Sequence, residues 1–453
     1  MPESHTNSPA LPTPAHPAGW HFETKQVQAG HTPDPATGAR AIPIYQSTSF
    51  VFPNAQEAAD RFALKSLGPI YTRLDNPTNQ IVAQRIAALE GGVGALLVAS
   101  GLAAETLTFL TLGGQGSNIV ASPSLYGGST NLLTHTLPRL GIEARFVADP
   151  GDPAAWSDLA DERTICFYGE SIPNPQGDIL DIEPLAAAAH ALGIPLVVDN
   201  TMASPYLIRP IEWGADIVVE SATKFLGGHG SSVMGVIVDS GNFDFAQHPE
   251  RFPEFNTPEP AYNGLVYARD LGVGGALDAN LAFLLKAHTE GQRDLGFAVS
   301  PMNAFLVAQG VETLSLRMER HVDNALAVSR WLEGRPEVTE VRYAGLKSSP
   351  YYQLHQKYCP RGAGSVFAFD LAGGRQAGAA FIDHLTLFSH LANIGDVRSL
   401  CVHPATTTHS QLDDASLAQA GIGPGTVRLS IGIEHIDDIL ADLAQALDTV
   451  AKL

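Results

Sequence analysis

From Ala95 onward, short apolar runs alternate with longer amphipathic stretches. ALLVA (95–99), NIVA (118–121), ARFVA (144–148), TICFY (164–168), LVVD (196–199), DIVVE (216–220) and VMGVIV (233–238) are predicted as strands. Between several of them, 102–112, 125–140 and 181–192 carry helical spacing. This rhythm predicts an α/β fold with a mostly parallel sheet covered by helices. Upstream, 41–52 reads as extended and 55–67 as helical. Asp75, Asn76 and Pro77 mark a turn. Thr78 is the candidate cap of a helix with Ile81, Val82, Ile86 and Leu89 on one face, stopped by Gly91 and Gly92. Downstream, 301–332 reads as one long helix. A smaller α+β unit follows, with strands at 338–342, 366–371 and 427–431 and helices at 375–385 and 436–450.

In open parallel sheets, ligands bind where the carboxyl ends of strands lead into helices. Every motif with candidate chemistry falls at such an end. Ser100 and Gly101 precede a helix, whose free N–H groups and positive dipole end suit a phosphate. Tyr126 stands at the next junction, able to stack on a flat ligand. Asn174 sits in a proline-bounded loop, GESIPNPQG (169–177). Asp199 ends an apolar strand, so its carboxylate needs a partner. It reads either as a helix cap or as the partner of a cationic ring nitrogen. The stretch IVVESATKFLGGHG (217–230) adds Ser221, Thr223, Lys224 and three glycines. Lysine forms Schiff bases with carbonyl compounds once burial and neighbours lower its pKa. Together these groups supply an amine, a ring stacker, a carboxylate, an amide and a phosphate cradle, the set that pyridoxal phosphate (PLP) requires.

Length and composition narrow the setting. With 453 residues the chain exceeds one core. A disordered arm is expected over 1–20, and two domains or more beyond it. A formal charge of −20 argues against broad nucleic-acid or anionic-membrane binding. No run of about eighteen apolar residues is present to span a membrane, and the first twenty residues lack the layout of a secretory signal. Cys166, Cys359 and Cys401 are too scattered for a disulfide framework. The histidines form no HExxH cluster, so no metal site is expected. The cytoplasm is the expected compartment.

From about Phe22 to the C-terminus the chain resembles the Cys/Met-metabolism family of PLP enzymes, with its fold-type-I (aspartate aminotransferase-like) architecture. YTRLDNPT, SGLAA, YGGST, ESIPNPQGDILDI, VVDNT, ESATKFLGGHG, GDVRSL, CVHPATTTH and VRLSIGIE appear in the family's order. The resemblance implies that Lys224 holds the cofactor and that Asp199 pairs with the ring nitrogen. It implies that Tyr126 stacks on the ring, Asn174 meets the ring hydroxyl, and Ser100, Gly101, Leu102, Ser221 and Thr223 bind the phosphate. The resemblance also implies an arm reaching a neighbouring subunit's site (21–75), a PLP-binding domain (76–300), and a linking helix with a C-terminal domain (301–453). Tyr71 and Arg73 would reach that phosphate from a neighbouring subunit, in a tetramer built as a dimer of dimers. Arg428 would clamp the substrate carboxylate, with Asn393 opposite.

The stretch 240–300 and the motif SPMNAFLVAQGVETLSLRMERH resemble O-acetylhomoserine sulfhydrylases within the family, although Asn263 stands where histidine is usual there. Gly128 stands where methionine γ-lyases tend to carry cysteine. The implied reaction is a γ-replacement in which O-acetylhomoserine loses acetate and gains sulfide or a small thiol. Lys224 would move the Cα and Cβ protons, assisted by Tyr126. Cystathionine γ-synthase and γ-lyase activities are the alternatives.

Overall fold

A computed structural model describes residues 19–66, 68–174, 177–407 and 422–452. The arm expected over 1–20 falls outside them except for its last two residues. So does the end of CVHPATTTH, at Thr408 and His409.

Seven of the apolar runs fold as β1 (Gly94–Val98), β2 (Asn118–Ala121), β3 (Glu143–Phe146), β4 (Thr164–Glu170), β5 (Leu196–Asp199), β6 (Ile217–Ser221) and β7 (Gly235–Asp239). Their order in the sheet is β1-β7-β6-β5-β4-β2-β3. Only β7 runs against the others. β2, β4, β5 and β7 are buried at every residue, because helices cover both faces of such a sheet.

Register decides which face each side chain reaches. Glu170 pairs with Asp199, and Asp199 with Val219. These three side chains therefore share a face, and Ser171, Asn200 and Glu220 take the other.

The helix α1 (Pro77–Glu90) ends at Gly91 in the left-handed conformation, φ 86°. Its cap is Asn76, whose Oδ1 accepts the Thr78 N–H at 2.9 Å. Thr78, the residue expected to cap, instead donates to the Pro43 carbonyl at 2.8 Å and accepts the Tyr45 N–H at 3.0 Å. It anchors the extended segment before the helix. The helix α2 (Gly101–Leu112) follows β1, and α3 (Ile182–Ala191) lies between β4 and β5. The expected 125–140 helix is broken into an α-turn (Gly127–Asn131), a π-turn (Leu132–Thr136) and a 3₁₀ turn (Leu137–Leu140). Pro138 has no N–H to continue an α-helix.

The long helix expected over 301–332 is two: α4 (Pro301–Val311) and α5 (Leu314–Glu333). The break has a non-local cause. The Gly310 carbonyl is drawn to the Arg317 guanidinium at 2.8 Å. Gly310 itself lies so close to the Leu226 and Gly227 carbonyls that a Cβ there would come within 2.1 Å of one of them.

The second sheet holds β8 (Val338–Arg342), β9 (Val366–Leu371), β10 (Ser389–His390), β11 (Leu400–Val402) and β12 (Thr426–Ser430), in the order β10-β11-β12-β9-β8. The helix α6 (Gly374–His384) lies against it, and α7 (Ile436–Val450) packs on α6 and α5. One apolar cluster runs from the α1 side of the first sheet through α4 and α5 to the second sheet. The two sheets are thus fixed to one another by apolar contact. Among the described residues, no helix is long and apolar enough to cross a membrane.

Candidate active site

β6 ends at Ser221, and the chain turns at once through Thr223, Lys224 and Phe225. The turn puts Lys224 against a loop of the second sheet. Its Nζ donates to Asn393 Oδ1, and the Asn393 carbonyl accepts Arg428 Nη2 at 3.1 Å. Asn393 therefore holds the lysine with its side chain and the arginine with its backbone. Burial lowers the Lys224 pKa, and the nearby Arg428 charge lowers it further. Both effects favour the neutral amine that attacks carbonyls. Burial also lowers Arg428, to about 10, with Tyr126 opposing that shift from nearby. Arg428 Nε is buried without a hydrogen-bond partner.

Asp199, 9% exposed, accepts the Thr201 N–H at 2.7 Å. Burial raises its pKa to about 6. Among the described residues it makes no ion pair, Lys224 included. Such a carboxylate is poised to lower its energy beside a cation.

Tyr126 is half-exposed, and its backbone N–H donates to Glu170. A Cβ at Gly128 would sit 2.4 Å from the Tyr126 ring, so this ring pose needs glycine there. Asn174 Oδ1 is buried without a donor.

The residues expected to cradle a phosphate gather in part at the N-terminus of α2. Ser100 Oγ caps α2 by accepting the Ala103 N–H at 3.1 Å, and its carbonyl takes the Ala104 N–H. That leaves the Gly101 and Leu102 N–H groups at the open end of the helix. Ser221 closes on this end, because a Cβ on Gly101 would lie 2.7 Å from Ser221 Cβ. The Thr223 hydroxyl is engaged elsewhere, accepting the Met234 N–H at 3.1 Å and donating to its carbonyl at 3.3 Å.

Tyr71 and Arg73 stay outside this group within one chain. Both are exposed. Arg73 has partners within its own chain. Its guanidinium lies 5.7 Å from the Tyr71 ring centre, and it donates to the Arg293 carbonyl. Asn263 adopts φ 56°, a left-handed conformation that asparagine tolerates better than most residues.

Sequence reasoning missed a set of buried acids. Glu170 receives the backbone N–H groups of both Tyr126 and Asn174. Glu105 on α2 accepts from Ser129 Oγ at 2.8 Å, just beyond Tyr126. Burial pushes Glu105 up to about 8 and Glu170 well above the carboxylate range, with Asp199 adding to both. On the opposite face, Glu90 and Glu220 are buried together, and Glu90 accepts Asn200 Nδ2 at 2.7 Å. A glutamate ending an apolar strand was the only available signal. Thr201 was also missed. It bonds Asp199 with its N–H and accepts the Ser221 N–H at 2.7 Å, linking the β5 and β6 ends.

These residues fit a flat phosphorylated aldehyde. Two N–H groups face outward at a helix N-terminus, and a glycine stands where a Cβ would fill the cradle. Asn174 Oδ1 and Arg428 Nε are buried and unpaired. Among the described residues, no cluster of three or more His, Cys, Asp or Glu could hold a metal ion.

Comparison with known proteins agrees. The family model described as Cys/Met metabolism PLP-dependent enzyme matches residues 23–448. The chain is 51% identical over 427 residues to an O-acetyl-L-homoserine sulfhydrylase of Corynebacterium glutamicum, covering 94% of this chain and 96% of that one. It is 48% identical to a homocysteine synthase of Schizosaccharomyces pombe, covering 94% and 98%. A crystal structure of a putative O-acetylhomoserine (thiol)-lyase from Campylobacter jejuni, containing N'-pyridoxyl-lysine-5'-monophosphate, is 37% identical. It superposes with a TM-score of 0.89 over 95% of this chain and 100% of that one. The chain belongs to the Cys/Met-metabolism family of PLP-dependent enzymes.

Proposed function

We propose that the protein catalyses a γ-replacement on O-acetyl-L-homoserine, in which sulfide displaces acetate to give L-homocysteine, a step of methionine biosynthesis. The observation that carries this reading is the meeting of Lys224, Asn393 and Arg428, contributed by two sheets, in a chain about half identical to sulfhydrylases along nearly its whole length.

Bound PLP supplies an electron sink conjugated to the amino-bearing carbon of the substrate. The chain's own groups do the rest. Lys224 holds the cofactor and, once released, moves protons at Cα and Cβ. Arg428 grips the substrate carboxylate, a task for a planar fork. The Asn393 carbonyl fixes one arm of that fork. Tyr126 stacks on the ring and assists the Cβ proton. Asp199 keeps the ring nitrogen protonated, and Asn174 contacts the ring hydroxyl. Gly101, Leu102, Ser100, Ser221 and Thr223 frame the phosphate.

Tyr71 and Arg73 reach a neighbouring subunit's phosphate, which suits two exposed residues with no role in their own chain's site. The protein is then a homotetramer, a cytoplasmic dimer of dimers. The unit over 76–300 binds the cofactor, and 301–453 covers the cleft.

Purified, PLP-loaded protein tests the reading with O-acetylhomoserine and sulfide, methanethiol or cysteine. Homocysteine and acetate in equal amounts are expected. Cystathionine as the faster product, or ammonia and a keto acid formed without thiol, would replace this reading with one of the other two activities.

The cradle gives a second expectation. In Gly101→Ala the new methyl meets Ser221 Cβ at 2.7 Å and its Cα at 3.0 Å, and backbone cannot yield as a side-chain tip can. PLP affinity should fall roughly tenfold or more, the cost of misplacing one donor to a dianion. Titration of the cofactor-free variant with PLP checks this, and unchanged affinity would move the phosphate elsewhere.

A further inference from the structure

Part of the SPMNAFLVAQGVETLSLRMERH motif has no task in the reading above, yet three polar side chains on α5 cross the join between the two sheets. Arg317, His321 and Asn324 follow one stripe of that helix at spacings of four and three. Arg317 is 5% exposed. It bonds the Phe225 carbonyl at 2.8 Å, the Leu226 carbonyl at 3.2 Å and the Gly310 carbonyl at 2.8 Å. Its remaining contact is the Thr313 hydroxyl at 3.3 Å. A buried guanidinium held by carbonyls and a hydroxyl, with no carboxylate among the described residues, is an expensive arrangement.

Two of those carbonyls belong to Phe225 and Leu226, the residues directly after Lys224. A Cβ at Gly228 would lie 2.2 Å from Arg317 Nη1, so the whole turn is moulded on the arginine. One turn along, His321 Nδ1 donates to the Ile431 carbonyl at 2.7 Å, and its ring meets the Phe225 ring edge-on at 5.4 Å. Next, Asn324 Nδ2 donates to the Gly432 and Glu434 carbonyls, both at 3.0 Å. Residues 431–434 continue β12, three residues beyond Arg428. The backbone closes the same circuit. Val397 N–H donates to the Gly228 carbonyl at 2.8 Å, and Ile433 N–H to the Val397 carbonyl at 2.9 Å.

We propose that Arg317, His321 and Asn324 are positioning residues that fix the Lys224 turn of one sheet in register with the Arg428 strand of the other. Arg317 sets the amine and Asn324 sets the carboxylate clamp, with His321 joining them. The inference rests on the roles proposed above for Lys224 and Arg428. It acts through place, not charge, because Arg428 is the charge that bears on Lys224.

The two ends of the stripe should fail differently. Arg317→Lys keeps the charge but cannot span the fan of carbonyls. It should lower kcat about tenfold, since small misplacements of a reacting group are costly, and weaken the visible circular dichroism of bound PLP. Its KM for O-acetylhomoserine should stay within about twofold. Asn324→Ala should raise that KM about fivefold and leave the visible circular dichroism unchanged. Melting curves accompany each variant. If Arg317→Lys does not fold, Arg317→Gln carries the same expectation.

Identical patterns at both positions, or no change beyond twofold at either, overturn the proposal. The Lys224 assignment is checked separately. Borohydride reduction of the wild-type holoenzyme should fix PLP on the Lys224 peptide, and labelling of another lysine refutes that assignment whatever the variants do.

Discussion

Lys224→Ala is expected to yield a folded, colourless protein whose turnover falls by about 10⁴-fold or more, because one substitution removes both the proposed covalent anchor and the proposed proton carrier. Stability should not explain the loss. The Lys224 amine has a lowered pKa in the folded chain, so its charge costs stability below that folded pKa. The cost fades above the ordinary lysine value of 10.5, where the amine is neutral in both states. Removing it should leave the cofactor-free melting temperature at pH 7 equal or higher. Its hydrogen bond to Asn393 Oδ1 is also lost, but Asn393 is only partly buried and water can replace that donor. Tyr126→Phe gives the comparison. The phenol only assists, so its removal should cost no more than about 10²-fold, the lower end of what a placed proton-transfer group supplies. Steady-state assays of both variants with O-acetylhomoserine and sulfide decide the matter. Equal defects would remove Lys224 from the role of base.

The sheet was legible because burial on both faces turns each strand into an unbroken apolar run. β2 and β5 coincide with NIVA and LVVD residue for residue. β8, β9 and α7 also begin and end where pattern placed them. The failures share a different physics. Whether 301–332 is one helix or two is decided by Arg317, whose carbonyl partners at 225 and 226 lie about ninety residues upstream. Periodicity within the helix carries no trace of that contact. Asn76 took the cap from Thr78 because Thr78 found Pro43 and Tyr45, again outside any local window.

The site divides in the same way. Strand ends announce Ser100, Asp199 and Lys224, since small polar residues after apolar runs break a local rule. Asn393 and Arg428 announce nothing locally. Asn393 lies 169 residues from Lys224 along the chain, and only resemblance to a family brought them together. Glu170 and Glu105 went unread for a further reason. Their partners are backbone N–H groups and a serine, which leave no complementary charge in the sequence to look for.

Asp199→Asn should separate catalysis from folding more sharply than any other change. Asparagine keeps an oxygen for the Thr201 N–H, so the 2.7 Å bond and the β5–β6 link through Thr201 can persist. What it removes is a charge. In the cofactor-free chain, burial raises the Asp199 pKa from 3.8 to about 6, so the native state binds the proton more tightly than the unfolded chain. Ionisation therefore costs stability. The full cost is present above pH 6, shrinks as pH falls through 6, and vanishes below 3.8. Cofactor-free Asp199→Asn should melt at or above the wild-type temperature at pH 8, with the gap closed near pH 4. Activity should move the other way. In the proposed role, loss of the carboxylate lets the ring nitrogen lose its proton and weakens the ring as an electron sink, so kcat with O-acetylhomoserine and sulfide should fall about 10²-fold or more. The nearby acids Glu105 and Glu170 are poor substitutes, because burial raises the pKa of both and so disfavours the charged form that a ring nitrogen would need. Calorimetry of the cofactor-free variant at both pH values, beside holoenzyme kinetics, gives the two readings. A variant that turned over at near wild-type rate would detach Asp199 from the ring nitrogen, and a variant that lost stability at pH 8 would mean that the carboxylate is paired in the empty site.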